Sequence, residues 1–112
     1  MRLRHLVVTL SAAAAGQPLT TDRAIVGYYV SIQQAPANTG ALFVGGFNSL
    51  GQQMASSTDY GITIPAPVTG TPPPPYPIGN WHQAMQVCLN DIWVKGTTAE
   101  KVTVSYWAPD KA

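Results

Sequence analysis

The feature that most constrains this chain is the period of its apolar residues, which is two nearly everywhere and never close to 3.6 over a capped run. In "AIVGYYVSIQQ" (24–34), Val26, Tyr28, Val30 and Ile32 fall on one face and Gly27, Tyr29, Ser31 and Gln33 on the other. Leu6, Val8 and Leu10 repeat the spacing near the start, and Met85, Val87 and Leu89 repeat it later. "ALFVGG", "YGITIP" and "DIWVKG" read as short strands, and "KVTVSYW" closes the series with Val102, Val104 and Tyr106 together. Turns separate them: "NTG" (38–40), Gly45-Gly46 and "GTTAEK" supply the residues that tolerate tight or left-handed backbone. The pattern predicts a single all-β domain over 1–112, a β-sandwich or jelly roll of about seven short antiparallel strands.

A chain of 112 residues holds one core, and at this size roughly 65% of the unfolded surface is buried on folding, enough without covalent staples. The single cysteine, Cys88, excludes a disulfide within the chain. Charge is scarce: 10% of residues are Asp, Glu, Lys or Arg, against about 25% in an ordinary soluble domain. A domain with so little charge to keep partners away is expected to cover much of its surface with other subunits. The net charge of +1 gives no field for nucleic acid or anionic lipid, and no apolar run is long enough to span a bilayer.

The opening "MRLRHLVVTLSAAAAG" has the layout of an export signal. Its apolar stretch, Leu6–Leu10, is short for that role, and its removal would delete a strand the small domain needs. It is read as the first strand of a protein that is not exported. Its Arg2 and Arg4 share a strand face and form a candidate anchor for an acidic partner surface.

"PAPVTGTPPPPYP" (65–77) is the compositional outlier. Proline has no N–H to donate, so the segment is expected not to pair in a sheet, and four successive prolines favour an extended polyproline II arm. The arm (65–78) is read either as a stiff surface loop or as a reach over a neighbouring subunit. Pro72, Pro73, Pro74, Pro75 and Tyr76, with Trp81 just beyond, are the candidate contact residues.

Catalytic patterns are missing from the sequence. No nucleophile elbow surrounds any serine, and His5, His82 and Cys88 lie too far apart for ligand spacing. The carboxylates Asp22, Asp91 and Glu100 fall at strand ends or turns, where acids are usually solvated. The chain reads as no enzyme, with no cofactor, no metal and no nucleic-acid partner. Tyr28 and Tyr106 are expected in the core; Trp81 and Tyr76 are the aromatics expected at the surface, where stacking on a glycan is the alternative use.

"IQQAPANTGALFVGG" followed at a distance by "LNDIWVKGTTAEKVTVSYW" resembles a small β-rich domain of tailed-bacteriophage virion proteins, among them head decoration (cement) proteins and tail or fibre components. The resemblance rests on Asn38-Thr39-Gly40 leading into a strand that ends Val44-Gly45, and on Asp91-Ile92-Trp93-Val94 followed by a turn and a closing strand, Lys101–Trp107. It covers about 3–50 and 80–107, marks turns and strands, and carries no catalytic residue across; the proline-rich insert departs from the pattern. It implies a virion structural protein on the capsid exterior, assembled in the host cytoplasm, that binds the major capsid protein and copies of itself, often as a homotrimer, and stabilises contacts between capsomers. The alternative it leaves open is a tail, collar or fibre module that contacts host surface carbohydrate.

Overall fold

The computed structural model describes residues 1–78 and 86–109. Nine strands are found there: β1 (Arg2–Thr9), β2 (Gln17–Pro18), β3 (Val26–Gln34), β4 (Leu42–Gly45), β5 (Ile62–Ile64), β6 (Tyr76–Pro77), β7 (Val87–Cys88), β8 (Trp93–Lys95) and β9 (Lys101–Ala108). They form two antiparallel sheets. One runs β1-β9-β3-β6 with β7 also paired to β3, and the other runs β2-β8-β4-β5. The protein is an all-β sandwich, as the period-two pattern predicts.

The core lies between the sheets. Val8, Val30, Ile32, Val102, Val104 and Tyr106 enter from the first sheet, and Leu42, Val44, Ile64 and Val94 from the second. Leu89 and Ile92 close it at the start of a 3-10 turn, Leu89–Asp91, and just after its end, where the sequence pattern alone suggests one strand running into the next.

Three strand-level expectations change. The segment 65–77 does enter a sheet at its end, where Tyr76 pairs with Ile32 and Pro77 with Ser31. Proline is tolerated there because β6 is a two-residue edge strand, so no further ladder needs its missing N–H. The strand count is nine rather than about seven, because β2 and β6 are two-residue pairs too short to show a period.

The third change concerns Tyr28, which is not a core residue. The register of β3 against β9 shifts between Tyr28 and Ser31, and Tyr29 sits at φ 52°, in the left-handed region. This bulge reverses which parity faces inward. Before it Gly27 is buried, after it Val30, Ile32 and Gln34 are, and Tyr28 turns to the outer face opposite Trp107. Tyr106 is buried as expected, and its ring lies on Gly27: a Cβ there would come within 2.6 Å of Tyr106 Cδ2 and 2.9 Å of its Cβ.

Buried amides tie the ends of β3 and β9 together. Asn38 Nδ2 donates to Gln34 Oε1 at 3.1 Å and to the Lys101 carbonyl at 2.7 Å. Gln34 Nε2 in turn donates to the carbonyls of Gly40 (3.2 Å) and Pro65 (3.0 Å). Glu100 clamps the same turn from outside, accepting from the Thr39 N–H (2.7 Å), the Thr39 hydroxyl (3.0 Å) and the Gly40 N–H (3.4 Å). Partial desolvation pushes the Glu100 carboxyl up, but these donors and the Thr97 hydroxyl together outweigh it and hold the pKa below its ordinary 4.5.

Two outcomes follow from this packing. Gly27→Ala forces a methyl against the root of the Tyr106 side chain, which cannot swing away, and is expected to cost about 1–3 kcal/mol in urea unfolding. Glu100 stabilises the fold while ionised, so its contribution is complete above pH 4.5 and is lost as pH falls through the depressed value. Glu100→Gln is therefore expected to lower Tm by a few degrees at neutral pH, with the gap to wild type closing in stronger acid.

Candidate interaction surfaces

Period two places Arg2 and Arg4 on one face of β1, as the sequence requires, and it is the face that carries Leu6 and Val8 further along. Opposite them on β9 stand Ala108 and Tyr106. Beyond the end of the core this face opens into a groove of about 480 Å³, lined by Arg4, Asp22, Ile25, Val26, Tyr106 and Ala108. Arg4 is exposed and makes no hydrogen bond or ion pair among the described residues. Asp22 is committed to its own turn, where its Oδ1 accepts from the Ala24 N–H at 2.9 Å. The groove thus sets the Arg4 guanidinium, not hydrogen-bonded to Asp22, beside an apolar floor, a combination suited to an acidic partner segment.

The proline-rich segment lies against its own domain. Gln33 Nε2 donates to the Pro73 carbonyl at 2.6 Å, and the Ile78 N–H donates to the Val30 carbonyl at 2.8 Å. Pro73 is buried and Tyr76 packs against the core, while Pro72, Pro74 and Pro75 are exposed. A cavity of about 250 Å³ remains beneath the strap, between Ile64, Pro67, Pro73 and Tyr76. A neighbour that touches this strap would meet Pro72, Pro74 and Pro75. Trp81, the remaining candidate contact, lies outside the described residues, as does His82.

A further apolar exposure lies on the outer face of the first sheet. Leu3 is 60% exposed, Val7 58% and Trp107 41%. Leu3 pairs with Trp107 across β1 and β9, and Trp107 pairs with Tyr28 across β9 and β3, so the three form one row over three strands. The next row is His5, Ser105 and Ser31, and the one after it Val7, Thr103 and Gln33. This face carries no acid in those rows. Leu3 and Val7 could have been picked out from the alternation of β1, which puts them on the side away from Leu6 and Val8; Tyr28 could not, because the left-handed residue of the bulge that turns it outward is a tyrosine and not a glycine.

Among the described residues no group of three His, Cys, Asp or Glu is placed to hold a metal ion, and no helix is long and apolar enough to cross a membrane. Cys88 is half-buried, its thiol donating to the Arg23 carbonyl at 3.5 Å. Comparison with protein-family models, with curated proteins and with solved structures finds no match.

Proposed function

We propose that this protein is a non-enzymatic virion structural subunit of a tailed bacteriophage, and in particular a capsid decoration (cement) protein. The observation that carries the reading is the exposure of Leu3, Val7 and Trp107 on the outer face of the first sheet, on a chain with only 10% charged residues. Apolar area of this kind on a small domain is expected to be covered in the working state. The turn Asn38-Thr39-Gly40 and the strand that holds Trp93 and Val94, on which the resemblance to virion domains rests, support the particular setting.

In this reading the domain binds the outside of the capsid shell and copies of itself, and it adds contact area between capsomers against the pressure of packaged DNA. Arg2 and Arg4 meet an acidic strip on the major capsid protein, the outer row buries against a neighbour, and the exposed prolines of the strap stiffen a contact at little entropic cost. Assembly takes place in the host cytoplasm, and no catalytic step is involved.

The deciding measurement is the copy number of this chain relative to the major capsid protein in purified particles, by quantitative peptide mass spectrometry. Hundreds of copies per particle are expected. A handful would move the protein to the tail, collar or fibre, where the neighbouring Tyr28 and Trp107 would favour the glycan-contacting alternative; absence from particles would overturn the virion reading altogether. Replacing Pro72–Pro75 by Gly and Ser is expected to lower capsid occupancy, and unchanged occupancy would remove the strap from the contact.

A further inference from the structure

Sheet edges carry unpaired backbone groups, and proteins protect them with short strands, proline, charge or a covering segment. Most edges of this sandwich are protected in that way. β2 is two residues long and ends on Pro18; β5 has three residues and runs directly into Pro65. On the far side of the first sheet, β3 is covered by the two-residue β6, which ends on Pro77, and by the two-residue β7.

β1 breaks the rule. It is the terminal strand of its sheet, eight residues long, with no proline and no lysine. Its outward row reads Leu3, His5, Val7 and Thr9, so it lacks a formal charge where a protected edge would carry one. Arg2 and Arg4 charge the opposite face in the first half of the strand only, and Gln17 Nε2 covers the edge only at the Thr9 carbonyl (3.0 Å), so the stretch from His5 to Val8 carries no such protection.

We propose that β1 pairs antiparallel with β1 of a second copy of this chain, in the register that sets His5 against His5 and Leu3 against Val7. The inference deepens the assembly reading above by naming one partner, but it stands on the edge itself and holds whether or not the protein is part of a virion.

The choice of a second copy rests on self-complementarity. In this register each outward leucine meets the partner's outward valine, and the two Trp107 rows flank the joint on either side. On the opposite face Arg4 falls across from Leu6 and Arg2 across from Val8, so no guanidinium directly faces another. The sum of paired positions is even, which keeps outward residues opposite outward residues and both cores on the same side of the joined sheet. One strand of about 27 Å buries little area beyond its own row. The interface therefore belongs to the small class, below about 1,200 Å² in total, and the dimer is expected to be concentration-dependent.

The test is sedimentation velocity of the purified chain from micromolar to sub-millimolar concentration. A monomer–dimer equilibrium is expected, with Val7→Lys weakening association at least ~10-fold while far-UV circular dichroism stays unchanged. The register is tested in a Cys88→Ser background: His5→Cys is expected to cross-link between chains on mild oxidation and Thr9→Cys is not. Should Val7→Lys fail to fold, amide exchange on the wild-type protein decides, since β1 amides are expected to slow as concentration rises. A strict monomer throughout, a trimer that Val7→Lys leaves intact, or equal cross-linking at positions 5 and 9 would overturn the pairing. None of these outcomes alters the particle copy number, so the pairing and the virion reading fail separately.

Discussion

The structure depends on β9. It is the one long strand with a long partner on each side, paired with β1 over its whole length and with β3 on either side of the bulge. Its inward residues Val102 and Val104 are fully buried and Tyr106 nearly so, which puts the centre of the core on this strand. Burying side chains of this size contributes about 1.5–3 kcal/mol each. The features around it follow from holding it in place: Gly27 is bare so that the Tyr106 ring can lie flat on β3, and Asn38 bonds the Lys101 backbone where β9 begins.

Low charge and the shape of the edges belong together. A domain with a charged surface can leave its strand ends bare, since charge keeps other chains at a distance. This chain has few charges to use, and most of its edges end in proline or in strands of two or three residues instead. The strap shows the same economy. Its prolines are already stiff, and the hydrogen bonds from Gln33 to Pro73 and from Gln34 to Pro65 fasten it at two points, so it covers the β3 edge without forming a long strand of its own.

Much of the fold could be read from the sequence because sandwich strands with one buried face must alternate. Val8, Val30, Ile32, Val102, Val104 and Tyr106 all lie where that rule puts them. It fails at Tyr28, since a single extra residue reverses parity and Tyr29 takes the left-handed conformation without the Gly or Asn that usually signals it. It is silent on β2 and β6, which are too short for any period. Of the candidate contacts, the shared face of Arg2 and Arg4 was legible because it is a local property of one strand. The docking of the strap was not: it depends on Gln33 meeting a carbonyl forty positions away, and no local pattern encodes such a contact.

The position of β9 also sets the order in which the molecule can form. The last strand of the described chain lies between the first and the third, so β1 and β3 have no ladder between them until residue 108 has left the ribosome. Until β9 is made, β1 lacks the one strand it pairs with among the described residues. Closing the sheet joins strands far apart in the sequence, and such long-range pairing is slow. Aggregation during translation is the hazard this topology creates.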